Sequence, residues 1–172
     1  MNKSLLLLAI IISQFTHAQA QDINLNELKQ LRIMPISEVQ QTIFKKGYSL
    51  YKTWKNEDLK LDSVIYQNSH GQILGTINFK KAKNNRIFLE SSELAFYEQI
   101  LQELNDANYR LVHTEVGQQH SLTNSYILPD KKELVQIIIS NDPSTIKQGN
   151  QYRLLIRLKE NSGLKKRILG NH

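Results

Sequence analysis

Two histidines, His113 and His120, lie seven positions apart with Glu115 between them, and together they could hold a metal ion or a reactive water. Imidazole and carboxylate groups held at close range can bind Zn²⁺ or activate a nucleophile. Their spacing matches no established ligand pattern, and the chain has no Gly-x-Ser-x-Gly, His-Glu-x-x-His or phosphate-binding glycine motif. The sequence therefore predicts a non-catalytic protein without metal or cofactor. A hydrolase or metal enzyme centred on His113 and His120 is the less favoured alternative.

Two arginines occupy alternate positions near the end of the chain, in a stretch with the period of a strand. One set of alternating side chains is Tyr152, Leu154, Ile156 and Leu158, and the other is Arg153, Leu155, Arg157 and Lys159. This alternation is typical of a strand that buries one face. The second set then forms either an ordinary solvated face or a surface for an acidic partner, because the planar guanidinium group matches a carboxylate.

The only tryptophan, Trp54, lies in a second strand pattern from Tyr48 to Trp54. Strict alternation would place Tyr48, Leu50 and Trp54 on one face. Trp54 is then either a core residue or, with Tyr51, part of an interface, since Trp, Tyr and Arg dominate interface energetics. The predicted contact residues for a protein partner are Tyr51, Trp54, His113, Arg153 and Arg157.

The first twenty residues have the pattern of a secretory signal peptide. Lys3 precedes an apolar run from Leu5 to Ile12, and Ala18-Gln19-Ala20 offers a cleavage signal near Ala20. The run is shorter than the roughly 20 apolar residues of a transmembrane helix. The chain has no cysteine and hence neither a disulfide nor a lipid-anchored cysteine. We therefore expect a mature protein that is periplasmic or secreted and has no transmembrane segment.

The sequence predicts that the mature chain forms one domain over 21–160, followed by a basic flexible tail over 161–172. Lys3 is the only charged residue of the leader, so the mature chain has 21 basic and 16 acidic residues and a net charge of +5. This excess lacks the dense basic stripe of a nucleic-acid-binding domain. We expect a protein as the partner and no nucleic acid.

The same stretch of sequence occurs twice, 61 positions apart. Tyr48, Leu50 and Thr53 correspond to Tyr109, Leu111 and Thr114. Around each copy the periodicity predicts one helix and four strands, which defines repeats over about 36–90 and 92–159. Ser37 and Ser92 are predicted as the N-caps of the two repeat helices, and a further short helix is predicted over 22–34.

This element order across 36–159 resembles the β-lactamase-inhibitory-protein-like fold and the TATA-binding-protein-like fold. Both are built from duplicated α-β4 units. The resemblance implies an α+β protein with a curved antiparallel sheet, helices on one face, and an exposed face that binds something. The favoured function is an exported inhibitor or immunity protein that neutralises a toxin or envelope enzyme. A module that binds envelope peptides or glycans is the alternative, and the oligomeric state stays open.

Overall fold

The computed structural model describes residues 23–57, 61–79, 85–117, 120–129, 133–141 and 149–158. The helices in these ranges are α1 (Leu25–Ile33), α2 (Ile36–Lys45) and α3 (Leu94–Asp106). The strands are β1 (Tyr48–Asn56), β2 (Leu61–Asn68), β3 (Ile73–Phe79), β4 (Arg86–Ser91), β5 (Arg110–Gly117), β6 (Ser121–Ile127), β7 (Glu133–Ser140) and β8 (Gln151–Leu158). The predicted signal peptide, the tail at 161–172 and most of the loop at 141–150 lie outside the described residues.

The eight strands form one sheet in the order β1-β2-β3-β4-β8-β7-β6-β5. Every neighbouring pair is antiparallel. The predicted α+β class with an antiparallel sheet is therefore confirmed. Two four-stranded meanders join at the central pair β4–β8, and β1 and β5 are the two outer edges.

The helices begin at residues other than the predicted caps. Helix α1 starts at a capping box in which the Asn24 side chain accepts the Glu27 N–H and Glu27 reaches back to the Asn24 N–H. Helix α2 starts two residues earlier than the Ser37 cap allows, after Pro35, whose fixed φ suits the position. Helix α3 follows Glu93 instead of Ser92. The predictions of Ser37 and Ser92 as N-caps were wrong, because the backbone becomes helical directly after Pro35 and after Glu93.

One continuous apolar core lies between the helices and one face of the sheet. The helices bury leucines, isoleucines and other apolar residues at three-and-four spacing: Leu25, Leu28, Leu31, Val39, Ile43, Phe96, Ile100 and Leu104. The strands contribute Tyr48, Tyr66, Leu74, Ile87, Leu89, Val135, Ile137, Tyr152, Leu154 and Ile156. The apolar set of β8 is thus the buried one. Among the described helices, none is both long and apolar enough to cross a membrane.

The outer strands β1 and β5 each contain a β-bulge, and the bulge moves Trp54 to the other face. The pairing of β1 with β2 shifts between Leu50 and Lys52, so that Tyr48 opposes Asn68 but Trp54 opposes Ser63. One extra residue inverts the facing of every residue after it. The predicted placement of Trp54 on the face of Tyr48 was therefore wrong. Strand β5 shifts in the same way between Leu111 and His113.

Candidate functional site: the open face of the sheet

The face of the sheet opposite the helices, called the open face below, is not covered by any described helix. Its centre is apolar across neighbouring strands, because Ile65, Gly75, Phe88 and Leu155 are successive register partners from β2 to β8. The next row of partners runs Ile73, Glu90, Arg153 and Ile138. Leu134 of this face, the register partner of Arg157, is fully buried. Further apolar side chains of the face are half-buried although no described helix packs on them: Ile65, Ile73, Ile77, Phe88, Ile127, Ile138 and Leu155.

Arg153 is held in one orientation at the centre of the open face. Its Nε donates to Glu90 Oε2 at 2.7 Å, and its Nη2 lies 2.6 Å from the same oxygen. Its guanidinium carbon lies 4.9 Å from the centroid of the Phe88 ring, an arrangement typical of a cation–π contact. The Arg153 side chain is nevertheless 46% exposed, against 17% for Glu90. A pre-oriented guanidinium group that remains accessible loses little side-chain entropy when it binds a carboxylate.

Arg157 belongs to a hydrogen-bonded chain that crosses three strands. Its Nε donates to Gln136 Oε1 at 3.0 Å, and Gln136 Nε2 donates to the buried Ser125 Oγ at 3.1 Å. Arg157 is half-buried, in contrast to the exposed Arg153. Arg157 therefore stiffens the middle of the open face, whereas Arg153 presents its charge outward.

The five predicted contact residues do not form one cluster. Arg153 and Arg157 share the open face of β8, and Trp54 lies on the same face of edge strand β1. Four strand spacings separate Trp54 from β8, which is about 19 Å. Tyr51 lies in the β1 bulge and is 64% exposed. His113 lies on the open face near the opposite edge, as the partner of Ser125.

The two histidines lie at different places, His113 within β5 and His120 beyond its end. His113 Nε2 lies 3.8 Å from Glu115 Oε2, and His120 occupies the turn after β5 with φ of 55°. Among the described residues, no three histidine, aspartate or glutamate side chains lie close enough to hold a metal ion. Ser125 faces His113, but its buried hydroxyl accepts a hydrogen bond from Gln136.

A second polar cluster, missed by the sequence reasoning, ties α1 to the far half of the sheet. Lys29 Nζ donates to Tyr109 OH at 3.0 Å, and Tyr109 OH donates to Glu133 Oε1 at 2.7 Å. Glu133 also forms ion pairs with Lys29 at 3.3 Å and with Arg32 at 3.7 Å. Arg32 in turn donates to the Asn85 carbonyl. We call these residues the Glu133 cluster below. Its charges are largely buried under the helix layer, and its contacts hold α1 against the sheet.

The Glu133 cluster predicts a loss of stability at alkaline pH. Burial alone would lower the pKa of Lys29, but the hydrogen bond to Tyr109 and the charge of Glu133 raise it above 10.5. Burial raises the pKa of Tyr109 above 10.0; the hydrogen bond from Lys29 opposes this rise, and the contacts with Glu133 add to it. Both groups therefore favour the folded state while protonated, and this stability is lost as pH rises through their folded pKa values. Urea unfolding should show constant stability from about pH 8 to 10 and a fall above it; an increase above pH 10 would contradict the geometry.

A cleft of about 590 Å³ lies on the helix side, between the start of α1 and the end of α3. Its acidic groups already serve the fold. Glu103 accepts the Leu25 N–H at 2.6 Å, and Asp106 accepts from Gln102 at 2.8 Å. Glu103 therefore caps α1 from α3, and the open face is the stronger candidate for binding.

Comparison with known proteins leaves the open face to be interpreted from its own geometry. No family model matches the chain, and no curated protein sequence or solved structure resembles it significantly.

Proposed function

We propose that this chain is an exported, non-catalytic protein that captures another protein on the open face of its sheet. Within that class we favour an inhibitor or immunity protein that neutralises a toxin or an envelope enzyme. The proposal places the mature protein in the periplasm or outside the cell, after cleavage near Ala20. The leader sequence supports that location.

The observation that carries the proposal is the exposed, pre-oriented Arg153 within a half-buried apolar surface. The rows Ile65-Gly75-Phe88-Leu155 and Ile73-Glu90-Arg153-Ile138 make this surface contiguous from β2 to β7. A contiguous apolar patch with an arginine at its centre has the composition of an interface core, where aromatic residues and arginine are enriched.

The charge of the open face indicates an acidic partner. Its described basic residues are Lys52, Arg86, Arg110, Arg153 and Arg157, and its described acidic residues are Glu90 and Glu115. The resulting excess of three positive charges would speed the approach of an acidic surface and oppose a basic one. The same excess would be screened by salt, so capture should weaken as ionic strength rises.

We further propose that the fold is a duplicated α-β4 unit, as in the inhibitor architecture that the sequence resembles. Several local features recur at the offset of 61. Tyr48 OH donates to Gln72 as Tyr109 OH donates to Glu133. Gly47 and Asn108, each between a helix and a strand, both have positive φ. The bulges of β1 and β5 also correspond. These matches support common descent of the halves, and a two-lobed sheet offers a broad, rigid surface for protein capture.

The alternative is a module that binds an envelope peptide or glycan, supported by the exposed Tyr51 and Trp54 at the β1 edge. Such a site would use these aromatic rings as stacking surfaces, together with the arginines. The two functions therefore differ in whether an envelope glycan or peptide changes the fluorescence of Trp54.

Arg153→Gln should sharply reduce capture of the partner by the immobilised mature protein. The change removes the exposed charge but keeps a side chain that can hydrogen-bond to Glu90, so folding should persist. Captured proteins from the envelope fraction would be identified by mass spectrometry at two salt concentrations. Lys45→Gln, at an exposed position of α2, is the matched control for lost charge. A partner retained equally by both variants would refute capture through the open face.

A further inference from the structure

The edge strand β1 differs from the other edge in a way that points to strand addition. Both edges have similar length and a bulge at the corresponding place. Both edges expose an aliphatic residue, since Leu50 of β1 is 51% exposed and Leu111 of β5 is 54% exposed. The difference lies in the aromatic residues: where β1 carries the exposed Tyr51 and Trp54, β5 carries Val112 and Glu115. Bulges and lysines commonly keep the edge strands of a sheet from pairing with another strand. Exposed aromatic rings do not contribute to that protection.

The side chains along β1 offer apolar contacts on both sides of the strand. Trp54, 51% exposed, faces the open face. Leu50, also 51% exposed, opposes Tyr66 on the helix side, where the Phe44 ring packs edge-on against Tyr66 with centroids 6.2 Å apart. A strand added alongside β1 would place alternate side chains against these two surfaces, which is how sheet edges recognise extended peptides.

The charge of β1 indicates which kind of peptide segment could pair with it. Lys52 and Lys55 are exposed, and no acidic residue occurs between Tyr48 and Asn56. Lys55 pairs with Glu57 at 2.7 Å, with both side chains well exposed, and it opposes Asp62 of β2 in the register. An incoming segment rich in carboxylates would complement these lysines, whereas a second copy related by twofold symmetry would bring a second strand that carries the same lysines.

We infer that β1 binds an extended acidic segment of the captured protein by antiparallel or parallel strand addition, with Trp54 and Leu50 contacting its apolar side chains. The inference rests on the proposed function, because the segment is supplied by the partner that docks on the open face. Trp54 links the two surfaces, since it stands on the open face at the β1 edge.

The test uses a short peptide of alternating glutamate and valine and its lysine–valine counterpart. Trp54 is the only tryptophan, so its fluorescence reports binding at β1 directly. The acidic peptide should shift the emission and protect backbone amides of β1 from hydrogen exchange, and the basic peptide should do neither. Lys52→Glu should weaken the acidic peptide about tenfold, as expected for reversal of one complementary charge. Arg110→Glu, the same kind of reversal on β5, should have little effect.

Four results would overturn the inference: no binding of the acidic peptide at millimolar concentration, equal binding of both peptides, equal weakening by the two reversals, or protection confined to β5. Sedimentation that shows free chains already paired through β1 would overturn it too. Arg153→Gln separates the two proposals. If that variant loses the partner while β1 fails to bind peptide, only strand addition is wrong; if β1 binds peptide while Arg153→Gln retains the partner, only open-face capture is wrong.

Discussion

Glu133→Gln is expected to lower the free energy of unfolding by about 3 kcal/mol, the lower end of the cost of removing one partner from a buried ion pair. The substitution keeps the shape of the side chain and an oxygen that can accept from Tyr109. It removes the negative charge that faces Lys29 at 3.3 Å and Arg32 at 3.7 Å. Those side chains are only 23% and 8% exposed, so water replaces little of the lost charge. Urea denaturation at neutral pH measures the change.

Glu57→Gln is the matched control for the Glu133 prediction. Glu57 pairs with Lys55 at 2.7 Å, but these side chains are 80% and 67% exposed. An exposed pair of this kind contributes less than about 1 kcal/mol. If the two glutamine variants unfold at the same urea concentration, the Glu133 cluster does not fasten α1 to the sheet. The Glu133 variant should also lose part of the alkaline transition, since the carboxylate raises both pKa values.

Gly75→Ala is expected to destabilise the protein by about 2 kcal/mol, within the range for an overpacked site, and to weaken partner capture. A methyl group at Gly75 would overlap the Phe88 ring on the open face. The ring must then move, and Arg153 stacks on it at 4.9 Å. Stability and partner affinity should therefore fall together, because the clash destabilises the fold and the moved ring displaces the arginine that binds the partner.

A double-mutant cycle with Phe88→Ala separates this clash from a general intolerance of side chains at Gly75. In the Phe88→Ala background the added methyl has room, so Gly75→Ala should cost less than about 0.5 kcal/mol. The coupling energy would then exceed about 1 kcal/mol, as expected for residues in contact. Additive effects would show that Gly75 is required for a reason other than the ring.

The order of helices and strands could be predicted because each element carries its own period. Leu25, Leu28 and Leu31 mark α1, and the alternation around Leu154 marks β8 and identifies the face it buries. Antiparallel pairing of β2 with β3 followed from the short turn at Asn68. Such local signals suffice for the fold class.

The facing of Trp54 and the partners of Arg153 could not be predicted, because both depend on pairing between distant segments. A bulge is a property of two strands in register, and nothing in the residues of β1 alone marks the extra position. Glu90 lies 63 positions before Arg153, and the pair meets only because β4 and β8 join the two meanders. Lys29 and Tyr109, 80 positions apart, meet for a similar reason.

The two meanders support the arginines of β8 with different residues of the open face. Gly75 corresponds to Gln136 at the offset of 61, and each faces a residue of the central strands, Phe88 and Leu155 respectively. Glycine leaves room for the aromatic ring that supports Arg153, whereas glutamine holds Arg157. Matching positions thus hold the two arginines of β8 by different means.

The central claim, capture of an acidic protein through Arg153 on the open face, is tested most directly by titrating the purified partner into three forms of the mature protein. These forms are the wild type, Arg153→Gln and the Lys45→Gln control. Loss of one central interface arginine should raise the dissociation constant at least about tenfold, which is equivalent to 1.4 kcal/mol of binding free energy. The control should match the wild type. Equal affinities for all three folded forms would contradict the account.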